Sequence, residues 1–168
     1  MRIVTGLLLS LLLAAVGAQA QELRIGVGTE ATTLDPHFYN LTPTSEATAY
    51  VFDTLVWSDS SGRLIPWLAT SWRRTDDRTW EFKLRTGVRF HDGTPFTADD
   101  VLATFARVPG VRNSPSNYAK FLSHVVRAEA VEPHLLRITA NGPYPFLPSD
   151  LTQLAIVSRR HGEHATTA

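Results

Sequence analysis

Polar and apolar positions alternate with period two along several stretches of the chain. Leu23, Ile25 and Val27 alternate with Arg24 and Gly26, which predicts a short strand over 23–27 with one apolar face. Trp80, Phe82 and Leu84 alternate with Glu81, Lys83 and Arg85, a half-buried strand; after Thr86-Gly87, Val88 and Phe90 begin a second short one. Residues 126–131 and 135–140 read as two more strands, joined across Glu132-Pro133-His134. Elsewhere the spacing is helical. Thr42-Pro43 predicts a helix start, Thr42 as N-cap and Pro43 at the first position, followed by Ala47, Tyr50, Val51, Thr54 and Leu55. Thr97 with Asp100 reads as a capping box opening a helix that carries Val101, Leu102 and Phe105 and stops at Pro109-Gly110. Tyr118, Phe121, Leu122 and Val125 predict another helix, residues 146–154 a third, and residues 66–72 one helical turn with Trp67, Leu68 and Trp72 inward. A polar loop at 29–33, turns at 59–62 and 92–93, and an extended Ala155-Ile156-Val157 connect these elements. No repeat or linker-like stretch interrupts them, and the mixture of strands, helices and hairpins is α/β or α+β.

The first twenty residues carry a different pattern. Met1-Arg2 supplies a positive charge, residues 3–16 are mostly apolar with a leucine-rich centre, and Ala18-Gln19-Ala20 is a small-x-small cleavage site. Residues 1–20 are therefore expected to be a signal peptide cleaved before Gln21, the apolar run being shorter than the roughly 20 residues a membrane span needs. No cysteine stands at the cleavage site, so the expectation is a soluble periplasmic protein and not a lipoprotein. With 168 residues the chain is one domain, or a signal plus one domain, and 43% hydrophobic with 19% charged residues is a folded composition. Sixteen basic residues balance sixteen acidic ones, which gives nucleic acid nothing to hold. The absence of cysteine excludes disulfide scaffolds, thiolate metal sites and cysteine nucleophiles.

Candidate chemistry is sparse. Trp57, Trp67, Trp72 and Trp80 cluster in sequence, either as a stacking platform for a sugar or as core; core is favoured, less firmly for Trp57 and Trp67. Asp99-Asp100 resembles a carboxylate pair, but the helix cap accounts for it. His161 and His164 are three apart in a polar tail with no third metal ligand in view. No G-x-S-x-G, H-E-x-x-H or phosphate-loop motif occurs, so nothing points to an enzyme, and neither a cofactor nor a metal is expected.

Several motifs together resemble a known family. WEFKLR at 80–85, Gly87-Val88 and the run FHDGTPFTADDV at 90–101 are similar to the signature of family 5 bacterial extracellular solute-binding proteins, the peptide, nickel and related binding components of ABC importers. Leu34-Asp35-Pro36-His37, residues 52–62, PWLATSW at 66–72 and PYPFL at 143–147 fit further segments of that pattern. The resemblance implies an α/β, type II periplasmic-binding-protein fold, a two-lobed clamshell that closes on a solute. Family members are considerably longer, so residues 21–168 are expected to form only the first part of the first lobe. The resemblance implies capture of a peptide or peptide-like solute for membrane permease subunits by a monomer, with a nickel chelate as the other ligand and a non-binding fragment as the remaining reading. It also implies ligand-side residues: Thr29, Glu30, Ala31 and Thr32 in the loop after the first strand, Tyr39, and Ser116, Asn117 and Tyr118. For Glu30 a solvated loop acid is the favoured alternative, and Tyr118 reads equally as a helix core position sharing a face with Phe121 and Leu122. A partial lobe is expected to leave apolar residues of the C-terminal half, among them Leu135, Ile138, Leu151 and Ile156, more exposed than core.

Overall fold

The structure, a computed structural model, describes residues 26, 28–116 and 118–160. The signal segment, the 23–27 strand save Gly26, Asn117, and the pair His161 and His164 lie outside the described residues.

Helix α1 (Thr42–Ala49) leads into a hairpin of β1 (Val56–Ser58) and β2 (Leu64–Pro66). The hairpin turns where expected. Asp59 accepts the N–H groups of Ser61 and Arg63 at 2.8 and 3.0 Å, and Gly62 takes the left-handed φ of 76° that closes the turn. Strands β3 (Ala69–Arg74), β4 (Thr79–Leu84), β5 (Val125–Glu132) and β6 (Leu135–Ala140) form an antiparallel sheet of order β3-β4-β6-β5. The expected strands at 80–85, 126–131 and 135–140 are thus present.

Period two sorts this sheet into two faces. Phe82, Leu84, Leu136 and Ile138 are buried in one core with Val101 and Phe105 of helix α2 (Ala98–Arg107), and Ala140 is buried as well. On the opposite face Arg73, Glu81, Arg137, Glu129 and Arg127 make a cross-strand charge ladder with contacts of 2.6, 2.8, 3.2 and 2.6 Å. Hydrogen bonds from Arg137 and Arg73 hold the Glu81 carboxyl below its ordinary range.

The capping box opens α2 as expected. Asp100 Oδ2 accepts the Thr97 N–H at 2.9 Å, while its Oδ1 accepts the N–H of Arg159 at 3.1 Å. Asp99 pairs outward with Arg159 at 2.8 Å, so the two acids do separate structural jobs.

Other expectations need correction. The first helix is capped at Leu41, with Thr42 inside it, and ends at Ala49. Thr54 is drawn into an antiparallel bridge with Ala155, so the chain must be extended there, and Tyr50 and Val51 point outward at 82% and 48% exposure. Residues 66–72 are not a helical turn but the end of β2 and the start of β3. The tryptophan spacing imitates a helix, yet Trp72 faces Phe82 across the ladder with ring centroids 6.5 Å apart. Val88 and Phe90 flank a single bridge, Arg89 to Pro95, and not a strand. The segment after Asn117 is a short 3-10 turn (Tyr118–Leu122), and Val125 belongs to β5. Of 146–154 only α3 (Leu147–Asp150) is helical.

The apolar exposure expected of the C-terminal half falls on Val126, Val131 and Phe146, at 63%, 40% and 66%, and not on the four residues named for it. Ile138, Leu151 and Ile156 are buried and Leu135 is half-buried. The 155–159 segment threads through the middle of the structure. Ile156 N–H donates to the Asp53 carbonyl at 2.8 Å, and the buried Thr104 hydroxyl of α2 accepts the Val157 N–H at 3.1 Å.

Candidate functional site

Of the ligand-side candidates, Thr32 and Tyr118 reach α1 through Thr44 and Ser45, and Tyr39 meets Ser116. Thr29, Glu30, Ala31 and Thr32 are exposed, and the Thr32 hydroxyl lies 3.4 Å from that of Thr44. Asp35 then bends the chain. Its Oδ1 accepts the His37 N–H at 2.9 Å and its carbonyl accepts the Phe38 N–H at 3.3 Å, a turn suited to Asp before Pro36. Tyr39 follows in a parallel bridge with Ser116, whose carbonyl accepts the Asn40 N–H at 2.9 Å, while the Ser114 hydroxyl donates to the Phe38 carbonyl. Positions 77 apart in sequence, Tyr39 and Ser116, are therefore neighbours. Tyr39 and Ser116 stay half-buried.

Tyr118 follows its structural reading. It is 3% exposed, its hydroxyl lies 3.0 Å from that of Ser45, and its ring meets the His37 ring edge-on at 6.1 Å and Phe121 at 5.9 Å. It lines a cavity of about 150 Å³ together with Ser45, Thr48, Trp57 and Gln153.

Beneath the loop lies a buried clasp that sequence reasoning missed. Arg107, the last residue of α2, donates through Nη2 to Asp35 Oδ2 at 2.5 Å and through Nη1 to His37 Nδ1 at 2.6 Å. His37 Nε2 in turn donates to the Ala155 carbonyl at 2.7 Å. Guanidinium and carboxylate are 7% and 8% exposed, and His37 is fully buried. Burial, with the adjacent guanidinium acting in the same direction, pushes the His37 pKa down to about 4, against the smaller opposing effects of the Ala155 carbonyl and Asp35. The only local sign of the clasp was Asp and His flanking a proline; Arg107 gives no sign at all, being an ordinary basic residue in a last helical turn.

Two other features border the loop. A cavity of about 570 Å³, largely apolar, is walled by Leu34, Val51, Phe52, Val88, Phe90 and Ile156, and Leu34 is 69% exposed at its lip. Beyond it Trp57 and Trp67 stand exposed by 37% and 41% with ring centroids 5.7 Å apart; Asp53 accepts the Trp67 indole N–H at 2.6 Å. The separation of this pair from Trp72 and Trp80, which pack on Phe82, follows the division expected from sequence. Among the described residues no group of three His, Asp or Glu is placed to hold a metal. The arrangement offers exposed backbone, hydroxyls and one carboxylate beside a rigidly anchored turn, which suits holding a solute by hydrogen bonds.

Comparison with known proteins places these features in context. The model of bacterial extracellular solute-binding proteins, family 5 Middle, matches residues 63–166. The periplasmic oligopeptide-binding protein OppA of Escherichia coli (strain K12) is 31% identical over 146 residues, covering 77% of this chain and 27% of that protein. Among solved structures, OppA of Haemophilus influenzae in complex with RPPGFSPFR aligns over 81% of this chain and 30% of its own, with a TM-score of 0.73 and 29% identity. NikA from Brucella suis in complex with Fe(III)-EDTA aligns over 89% of this chain and 30% of its own, with a TM-score of 0.74 and 30% identity. The chain thus spans less than a third of the length of these relatives. They are solute-binding proteins and not enzymes, and the fold shared with them is part of the type II periplasmic-binding-protein fold, α/β in class.

Proposed function

Because the chain belongs to the family 5 bacterial extracellular solute-binding proteins, we propose that it supplies one wall of a cleft that captures peptides or peptide-like solutes for an ABC importer. The match over residues 63–166 carries this reading. In it, residues 1–20 are a cleaved export signal, residues 21–168 belong to the first lobe, and the protein works in the periplasm beside membrane permease subunits.

Thr29, Glu30, Ala31 and Thr32 pair with the main chain of the solute, and the Glu30 carboxylate meets an amino group or a basic side chain. Tyr39, with Ser116 and Asn117, borders the same wall. Tyr118 contributes by holding α1 through Ser45, since its ring is enclosed and its hydroxyl engaged. A chelated metal such as nickel is the second reading; the likeness to NikA from Brucella suis favours it.

Isothermal titration calorimetry of the gene product against dipeptides, the nonapeptide RPPGFSPFR and a nickel chelate separates the two. Heat with peptides alone supports peptide capture, and heat with the chelate alone replaces it by the second reading. No heat with any of them contradicts both.

A further inference from the structure

We infer that Arg107 and His37 are positioning residues for the ligand-side loop, and that the clasp they form with Asp35 and Ala155 holds the loop only while the His37 imidazole is neutral. This rests on the reading above that residues 29–32 and Tyr39 face the solute.

The tautomer follows from the partners. A guanidinium has donors only, so His37 Nδ1, 2.6 Å from Arg107 Nη1, must accept. A carbonyl has lone pairs only, so Nε2, 2.7 Å from the Ala155 oxygen, must carry the hydrogen. Protonation would put an N–H on Nδ1 against an N–H of Arg107, with two cations at hydrogen-bond distance. Among the described residues, the groups that meet the ring offer it no further acceptor. Asp35, on the same loop, already accepts Arg107 at one carboxylate oxygen and the His37 N–H at the other. Tyr118, from the 3-10 turn, presents its ring, its hydroxyl being held near Ser45, and the 155–157 segment presents a carbonyl. Burial keeps water from screening the two charges. A protonated ring must therefore leave, and its departure frees the 33–40 stretch from the Ala155 segment and leaves the Asp35–Arg107 pair to join it to the end of α2. The depression of the His37 pKa agrees with this geometry.

Arg107 acts at both ends of the clasp because its planar fork reaches two acceptors at once. The ammonium of Arg107→Lys has one nitrogen and cannot span Asp35 and His37 together. His37→Gln keeps an acceptor and a donor on one side chain but does not titrate.

The test is the affinity of the gene product for RPPGFSPFR, which has no Asp, Glu or His side chain, between pH 7 and pH 3. The wild type is expected to lose about twofold more affinity than His37→Gln by pH 4 and about tenfold more by pH 3, the difference between the two proteins isolating residue 37 from every other group. Arg107→Lys is expected to bind about tenfold more weakly already at pH 7. An identical acid loss in wild type and His37→Gln, or unchanged binding by Arg107→Lys, would overturn the inference. Should the wild type bind no peptide at pH 7, the functional reading fails, and nitrogen chemical shifts of His37 in the unliganded wild type decide the clasp alone. An Nε2–H tautomer persisting to about pH 5 supports it; a ring that titrates near 6.5 contradicts it.

Discussion

The four-stranded sheet and the loop region beneath the candidate site are held by different kinds of contact. In the sheet each strand pairs with its neighbours at five or more positions, with register shifts only in the outer strands β3 and β5, and the core-facing positions of β4 and β6 are apolar while a charge ladder lies on the opposite face. In the loop region isolated bridges, Tyr39 to Ser116 and Thr54 to Ala155, and scattered single hydrogen bonds tie the backbone, together with one buried chain of side chains from Asp35 through Arg107 and His37 to Ala155. Loss of one ladder contact leaves many others in the sheet. Loss of one clasp member leaves a buried polar group without its partner. Small perturbations should therefore register locally at the loop, while the sheet resists all but core changes.

The largest expected effect is in the sheet's core. Phe82 is fully buried between β3 and β6, and Phe82→Ala should cost about 4 kcal/mol of unfolding free energy in urea melts, as cavity-forming substitutions of this size do. Arg107→Met should come next, at about 3–4 kcal/mol, because the Asp35 carboxylate and His37 Nδ1 lose their buried donor. A loss below about 1 kcal/mol would mean that the loop is held by something other than the clasp.

Acid should discriminate between the regions too. His37 is depressed to about 4 in the fold from 6.5, so the unfolded chain takes up a proton that the native state refuses. At neutral pH the effect is nil. Stability should fall as pH drops through the window from 6.5 to 4, by up to about 3 kcal/mol from this group, and the fall should vanish in His37→Gln. Melts of the two proteins at pH 7 and pH 4.5 measure the difference. Asp100→Ala should follow at about 1–2 kcal/mol, through loss of the helix cap and of its bond to the Arg159 N–H. Arg127→Ala, at the exposed end of the charge ladder, should change stability by less than about 0.5 kcal/mol.

This difference also decided what the sequence could reveal. Strands β4, β5 and β6 were legible because burial on one face forces alternation, and α2 because Thr97 and Asp100 cap it within three residues. The tryptophans misled at 66–72, where helical spacing and the cross-strand pairing of Trp72 with Phe82 use the same residues. Tyr39, Ser116 and Tyr118 were placed by resemblance, and the structure does bring Tyr39 to Ser116, but it encloses Tyr118. The clasp stayed hidden because its contacts join positions 70, 72 and 118 residues apart, for which no local pattern exists. The burial of Leu151 and Ile156 was hidden for the same reason, since it depends on the 155–159 segment reaching Asp53 and Thr104.

Amide hydrogen exchange of the gene product with and without saturating RPPGFSPFR tests the proposed role of the loop most directly. The expected result is slowed exchange at residues 29–32 and 39–40, with amides of β4 and β6 unchanged. Protection gained only in the sheet, or no change anywhere, would contradict it.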